Sequence, residues 1–257
     1  MPEDSRIQID RDGRLARITI NRPPLNVIDI PTIVALGDAI TTLAAEPEPD
    51  VIVIRGAGTR GFSAGVDIKD HTLDRVESML TGFHAIFRAL AAWDRVSIAA
   101  VSGLCLGGGF ELATACDFLL CEEDARLGVP EIEVGCFPPV AVAAFPEQIG
   151  PKRAADWILT GRPVSVREAE TAGLVSRVAS KGGLDALVND VTASLLAKSS
   201  SVLRVTVRAL RADRTERFKS ALDSAEQFYL NDLLRTADLQ EGVASFMEKR
   251  KPDWTHR

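Results

Sequence analysis

The stretch that decides the fold is residues 96–117, VSIAAVSGLCLGGGFELATACD. Residues 96–101 form a short, continuous apolar run, which predicts a buried strand. Gly107, Gly108 and Gly109 follow, and residues 110–116 then carry the pattern of a buried helix. The first N–H groups of a helix have no partner inside it and carry partial positive charge, so a helix start made of glycine can hold an anion or an oxyanion. Close packing of the helix on the strand is the alternative explanation of the glycines.

On both sides of this stretch the pattern predicts layers of strands and helices. Residues 17–20 and 51–54 (VIVI) predict strands, whereas residues 31–45 and 74–93 have apolar residues at helical spacing. Strands that alternate with helices indicate an α/β fold. The pattern changes after residue 182, where four helices and no strand are predicted: residues 184–198, 200–212, 215–236 and 238–250.

We therefore expect residues 1–182 to form an α/β core that carries the functional site. Residues 183–257 are expected to form a helical region that packs on this core. That region has more apolar positions than a thin outer layer would bury, which favours an oligomer of closed symmetry. The positions are Leu222, Phe228, Tyr229, Leu233, Leu234 and Phe246.

The composition excludes several classes of function. With 36 acidic and 30 basic residues the net charge is −6, and the chain has no Lys/Arg run, which argues against nucleic acid as a partner. Four cysteines without a CxxC pair and only three histidines do not predict a structural zinc site. The cysteines are expected to be reduced thiols, and the charged N-terminus is unlike a signal peptide, so we expect a cytoplasmic protein. No apolar run reaches the ~18 residues of a membrane span.

Two catalytic motifs match by letters alone. Residues 56–61 (GAGTRG) fit the dinucleotide-binding pattern, but no helix is predicted to start at these glycines. Residues 61–65 (GFSAG) fit the nucleophile elbow of serine hydrolases, but the sharp turn after a strand is missing. His71 and His84 also come too early in the chain for a hydrolase triad. We reject both interpretations.

Two glutamates are the best candidates for proton transfer. Glu111 lies in an otherwise apolar helix, so burial is expected to raise its pKa toward neutrality. Glu131 follows Pro130 after another strand-like segment. Two carboxylates beside an anion-holding helix end suit proton removal at one position and proton delivery at another. A favourable interaction with the helix dipole is the alternative explanation for Glu111.

Five segments in the same order give the chain a resemblance to a known family. Residues 107–117 (GGGFELATACD) and 62–69 (FSAGVDIK) are similar to the two signatures of the enoyl-CoA hydratase, or crotonase, family. Over residues 8–252, three further segments match: Pro130-Glu-Ile132, Leu159-Thr-Gly161 with Ala172-Gly-Leu-Val175, and Glu241-Gly to Glu248-Lys-Arg-Lys251. The resemblance implies a spiral of β-β-α turns with a helical C-terminal region that forms trimers, often paired into hexamers.

The resemblance also implies a site for an acyl-CoA thioester. The backbone N–H groups of Val66 and Gly108 would bind the thioester oxygen, and Glu111 and Glu131 would be the catalytic acid and base. No metal or redox cofactor is implied, and coenzyme A is part of the substrate. The residues expected to bind coenzyme A or the acyl group are Arg60, Ala64, Asp67, Ile68, Lys69, Gly107 and Pro139.

One segment departs from the family. Where ordinary hydratases have a glycine-rich run that donates an N–H to the catalytic water, residues 137–142 are FPPVAV, and Pro139 has no N–H. With residues 22–26 (RPPLN), this variant resembles the hydratases of cyclic dienoyl-CoA. We expect a hydro-lyase that adds water to an α,β-unsaturated CoA thioester. The alternatives are an acyl-CoA isomerase or decarboxylase in the same pocket, and a non-catalytic scaffold or RNA-binding protein.

Overall fold

The computed structural model describes residues 5–257, so the first four residues of the predicted core lie outside it. The strands are, in chain order, β1 (Ile7–Asp12), β2 (Leu15–Ile20), β3 (Val51–Gly56), β4 (Gly61–Ser63), β5 (Val96–Val101), β6 (Leu104–Leu106), β7 (Phe118–Glu122), β8 (Arg126–Gly128), β9 (Val164–Ser165) and β10 (Arg177–Ala179). They form a six-stranded sheet, β1-β2-β3-β5-β7-β10, and a four-stranded sheet, β4-β6-β8-β9. Both sheets are mostly parallel, with β1 antiparallel to β2 and β9 antiparallel to β8.

The helices surround these sheets. They are α1 (Ile30–Ala45), α2 (Val76–Ala92), α3 (Gly108–Thr114), α4 (Pro139–Ile149), α5 (Pro151–Thr160), α6 (Val166–Thr171), α7 (Leu184–Leu196), α8 (Ser200–Asn231) and α9 (Ala237–Glu248). Short 3-10 helices lie at Ile68–His71, Pro130–Val134 and Leu233–Arg235. Among residues 5–257, none of the helices is long and apolar enough to cross a membrane.

Two successive turns of the chain repeat the same arrangement. Each has a long strand in the first sheet, a short strand in the second sheet and then a helix: β3-β4-α2, followed by β5-β6-α3. The predicted spiral of β-β-α turns is therefore confirmed. The turns lie so close that a Cβ atom on Gly103 would be 2.4 Å from Arg60 O. The sequence did not predict β6, and β5 therefore does not lead directly into the glycines of α3.

The first sheet is buried on both faces. Ile52 and Ile54 of β3 belong to the main core, whereas Val51 and Val53 belong to a second apolar cluster with α7. Successive side chains of a strand point to opposite faces, so a strand that is apolar throughout is covered on both sides. This explains why the VIVI run reads as a continuous rather than an alternating pattern.

The C-terminal helices share the main core with the sheets. Leu222 and Tyr229 of α8 and Leu239 of α9 are buried in the same cluster as Ile54 and Phe110. The structure thus packs residues of the predicted helical region directly against residues of the predicted α/β core. The division at residues 182 and 183 stays a prediction.

The predicted break between residues 212 and 215 is wrong, because α8 is one helix of 32 residues. The local sequence contains neither glycine nor proline at this point, so nothing in it ends the helix. Arg211 also anchors this part of α8 to the core, donating hydrogen bonds to the carbonyls of Leu90 and Trp93 and pairing with Asp117. Asp213 and Arg214, which lie outside both predicted helices, are exposed on the surface of a continuous helix.

Candidate active site

The backbone wall of the site consists of Gly65, Val66 and Gly108. It begins where β4 leads into the 3-10 helix Ile68–His71. A parallel bridge joins Val66 to Ile28: Ile28 N–H donates to Gly65 O at 2.9 Å, and Asp67 N–H donates to Ile28 O at 3.0 Å. In such a bridge the N–H of Val66 itself points away from the partner strand. Within residues 5–257 this N–H donates no hydrogen bond, and neither does that of Gly108, the first residue of α3.

Glycines bring these two N–H groups together. A Cβ atom on Gly65 would lie 2.9 Å from Leu106 O and 3.4 Å from Gly108 N. A Cβ atom on Gly108 would lie 2.8 Å from Val66 Cγ2 and 2.9 Å from Phe83 Cζ. Gly65 also has a φ of +99°, which other residues rarely adopt. Two unpaired donors at a helix start can hold an oxygen that becomes negative during a reaction.

Glu111 is the more deeply buried of the two candidate carboxylates. Its side chain is in the first turn of α3, only 2% of the residue is exposed, and Oε1 accepts a hydrogen bond from Ala141 N–H at 2.8 Å. Burial raises its pKa to about 7, although the N–H groups of Ala141 and Val140 act in the opposite direction. Glu111 is thus suited to exchange a proton near neutral pH.

Glu131 lies on the 3-10 helix Pro130–Val134 and approaches Gly107, the residue that precedes α3. Gly107 has a φ of +53°, and a Cβ atom there would be 2.7 Å from Glu131 Oε1. The other oxygen, Oε2, is buried and has no hydrogen-bond partner in the described part of the chain. Burial, and then the charge of Glu111, raise the pKa of Glu131 well above its usual range. The two glutamates are therefore close enough for the charge of one to oppose the ionisation of the other.

The proline segment that departs from the family starts a helix. Pro138 precedes α4 and Pro139 is its first residue, a position where a missing N–H costs no hydrogen bond. The next two N–H groups, those of Val140 and Ala141, both act on Glu111, and Ala141 N–H donates to its Oε1 at 2.8 Å. Val140 also lines a pocket with Phe87 and Phe218, and neither Glu111 nor Glu131 is among the residues that line it.

The other residues predicted to contact the substrate lie around the backbone wall. Ala64 N–H donates to Leu25 O at 2.9 Å, and Ile68 is half-buried at the start of its 3-10 helix. Asp67 is already engaged within the protein, because it accepts from Lys69 N–H at 3.2 Å and lies 3.7 Å from Arg22. Arg60 and Lys69 are exposed, and neither forms an ion pair within residues 5–257. These two cations remain available to bind phosphate groups.

Neither of the rejected motifs has the surroundings that its chemistry needs. Gly61–Ser63 form β4, so no helix begins at the glycines of the dinucleotide-like motif. Ser63 is fully buried, and its Oγ accepts a hydrogen bond from Gly65 N–H at 3.1 Å. His84 is buried on α2 and binds Glu226 Oε2 through Nδ1 at 2.7 Å.

Sequence reasoning treated Tyr229 only as an apolar position of the C-terminal region. The structure buries it on α8, with 1% of the residue exposed, and its ring packs on that of Phe137 with 5.1 Å between centroids. Burial, the neighbouring Cys136 thiol, and then the charges of Glu131 and Glu111 raise the pKa of Tyr229 well above its usual range. Tyr229 is the only tyrosine of the chain, and this is the one feature of the sequence that could have marked it as a candidate site residue.

The chain resembles known proteins over nearly its whole length. The family model "Enoyl-CoA hydratase/isomerase" matches residues 10–257. A cyclohexa-1,5-dienecarbonyl-CoA hydratase of Thauera aromatica is 33% identical over 98% of this chain and 97% of its own. A probable enoyl-CoA hydratase of Mycobacterium tuberculosis is 36% identical over 98% of both chains.

Solved structures agree with this resemblance. An enoyl-CoA hydratase from Mycobacterium avium subsp. paratuberculosis has a TM-score of 0.88 at 30% identity, over 98% of this chain and 99% of that one. An enoyl-CoA hydratase/isomerase from Xanthobacter autotrophicus has a TM-score of 0.86 at 31% identity, over 95% and 93% of the two chains. The predicted crotonase-type fold is confirmed. The chain therefore belongs to the enoyl-CoA hydratase/isomerase family.

Proposed function

We propose that the protein is a hydro-lyase that adds water across the α,β double bond of an acyl-CoA thioester, and that this substrate is a cyclic dienoyl thioester. The observation that carries the hydration is the coupled pair Glu111 and Glu131 beside the unpaired N–H groups of Val66 and Gly108. Hydration requires a proton to leave water and another to reach the α carbon, and the site offers one carboxyl group for each. Moving a double bond requires only one group that removes a proton and returns it.

The proposed reaction begins with the thioester oxygen on the two N–H groups. Glu111, which has a pKa of about 7 and accepts from Ala141 N–H, takes a proton from water as the water oxygen bonds to the β carbon. The electron pair of the double bond moves to the thioester oxygen as an enolate, which each N–H group stabilises by roughly 3–4 kcal/mol. Glu131, whose pKa is raised well above its usual range by burial, then donates its proton to the α carbon. The pair ends with one proton, as it began.

The coenzyme part of the substrate would lie along the backbone wall. Arg60 and Lys69 are exposed cations without ion pairs in the described chain, which suits the phosphates of coenzyme A. Ala64, Ile68 and Gly107 would line the channel to the carboxylates. The two carboxylates and two N–H groups supply every proton and charge the reaction needs, so we propose that no metal or redox cofactor takes part.

The cyclic substrate rests on the segment at the start of α4. Pro138 and Pro139 are both buried, and each fixes its own φ angle. A stiff segment beside the carboxylates suits a flat ring better than a flexible linear chain. The Thauera relative, named for a cyclic diene, supports this choice, although relatives named only as enoyl-CoA hydratases are equally similar.

Comparison of two substrates tests the proposal. We expect kcat/KM for cyclohexa-1,5-diene-1-carbonyl-CoA to exceed that for crotonyl-CoA by at least ~100-fold, about 2.7 kcal/mol of transition-state discrimination. A preference for crotonyl-CoA, with water added, would reject the cyclic substrate and leave the hydration intact. Double-bond migration without water addition would reject both parts.

We further propose that the protein is a homotrimer or homohexamer in the cytoplasm, with residues 183–257 as the helical region between subunits. Several large apolar side chains of α8 and α9 are exposed, including Phe228 at 64% and Phe246 at 56%. Tyr229 and Leu222, by contrast, are buried within their own subunit and cannot serve the interface. The four cysteines are free thiols, as a reducing compartment requires. Light scattering that gives three or six times 27.7 kDa would support the assembly, and a monomer or a dimer would reject it.

A further inference from the structure

Two buried polar atoms near the carboxylate pair have no hydrogen-bond partner. Within residues 5–257, these atoms are Glu131 Oε2, which belongs to the pair itself, and the hydroxyl oxygen of Tyr229. The thiol of Cys136 is close enough to the Tyr229 hydroxyl to affect its pKa, but a thiol is a weak hydrogen-bond partner. Buried polar groups are almost always paired in native proteins, so unpaired ones near a site point to a group that arrives with the ligand.

The position of Tyr229 is fixed by its packing. Its ring contacts Phe137, in the segment that connects the 3-10 helix of Glu131 to α4. Cys136 N–H donates to Glu131 O at 3.0 Å, so the segment against which the tyrosine packs is hydrogen-bonded to the catalytic carboxylate's own backbone. The phenol thus comes from the C-terminal region, yet it is buried close enough to both glutamates for their charges to raise its pKa.

We propose that the Tyr229 hydroxyl donates a hydrogen bond to the oxygen that is added to the substrate, first in the attacking water and then in the β-hydroxyl group of the product. This inference rests on the proposed hydration. The tyrosine neither gains nor loses a proton in the step: the water proton goes to Glu111, the α-carbon proton comes from Glu131, and the phenol O–H bond stays intact. Its raised pKa keeps the phenol protonated and therefore able to donate.

The start of α4 has no free N–H group that could donate a hydrogen bond to the water molecule. Pro139 cannot donate a hydrogen bond, and the next two N–H groups of α4, those of Val140 and Ala141, are directed at Glu111. The proton of the carboxyl pair is the one that Glu131 delivers to the α carbon, so it is not a donor that can hold the oxygen of the attacking water through the step. A phenol from α8 supplies one, and because it is rigidly packed it also fixes the direction from which the oxygen approaches.

The first experiment is Tyr229→Phe, which removes one oxygen and keeps the ring. We expect kcat for hydration to fall about 10- to 100-fold, with KM changed less than about threefold, because the contact is made to the reacting oxygen. The melting temperature should stay the same or rise, because an unpaired buried hydroxyl is removed. A purely structural hydroxyl predicts the reverse: a lower melting temperature with kcat retained. Cys136→Ala is the matched control, and it should leave kcat within about threefold of the wild type.

The second experiment does not depend on turnover. Tyr229 is the only tyrosine, so 3-fluorotyrosine incorporation gives a single ¹⁹F resonance from this position. A β-hydroxyacyl-CoA should shift this resonance clearly more than the saturated acyl-CoA of the same chain, which binds without the oxygen. Equal shifts with the two ligands, or an unchanged kcat in Tyr229→Phe, would overturn the inference. A wild-type enzyme that binds acyl-CoA but adds no water would instead reject the proposed function.

Discussion

The two walls of the site are built in different ways. The backbone wall, Gly65, Val66 and Gly108, offers N–H groups whose positions follow from a parallel bridge and a helix start. The side-chain wall, Glu111, Glu131 and Tyr229, is assembled from a core helix, a 3-10 helix and the C-terminal helix. A substitution in the backbone wall changes its shape, whereas a substitution in the side-chain wall can change the chemistry and leave the shape intact. The two walls should therefore respond differently to mutation.

The largest effect is expected in the side-chain wall. Glu111→Gln and Glu131→Gln should each lower kcat by ~10²–10⁴ with acyl-CoA binding mostly retained, because each removes proton transfer but not volume. Steady-state kinetics and binding of a saturated acyl-CoA measure the two quantities. Glu133→Gln is the matched control: Glu133 is exposed on the same 3-10 helix and should behave as the wild type. Near-normal turnover of either test variant would remove that glutamate from the mechanism.

A smaller but different effect is expected in the backbone wall. In Gly108→Ala, the new Cβ atom would lie under 3 Å from side-chain atoms of Val66 and Phe83, and we expect the shift that relieves these contacts to displace the two N–H groups. We expect kcat to fall ~10²–10³-fold, as for the loss of one oxyanion donor, and thioester binding to weaken as well. Gly37→Ala, also inside a helix, is the control, since its nearest neighbour would be Ile86 Cγ1 at 4.0 Å. If both variants are equally active, Gly108 does not serve an oxyanion hole.

The smallest effect is a pH dependence that only the side-chain wall should produce. Glu111 acts in its ionised form, and its pKa is raised to about 7 by burial. We therefore expect kcat/KM to fall as the pH drops below about 7, by about tenfold per pH unit. Gly108→Ala titrates no group and should keep the same acidic limb at a lower plateau. A flat profile between pH 5 and 8 would show that the ionisation of Glu111 does not limit the reaction.

Local pattern determined most of the core and the centre of the site. The runs VIVI and VSIAAV predicted β3 and β5, and the glycines before Glu111 predicted a helix start able to hold an anion. These features depend on neighbours within one turn or one strand. The motif order then identified the family and, through it, the spiral fold. Strand β6, only three residues long, lacked enough pattern to separate it from the glycines that follow.

What only the tertiary structure decided concerns contacts between distant residues. Sequence could not tell that Asp67 is engaged by Lys69 N–H and Arg22, or that the N–H of Ala141 is directed at Glu111. Tyr229 gave the same apolar signal as Phe228 beside it, although Tyr229 is buried and Phe228 faces solvent. A helix has two faces, and which face is covered depends on the elements that pack against it. The amino-acid order therefore specified the backbone donors and the carboxylates, and packing decided which side chains complete the site.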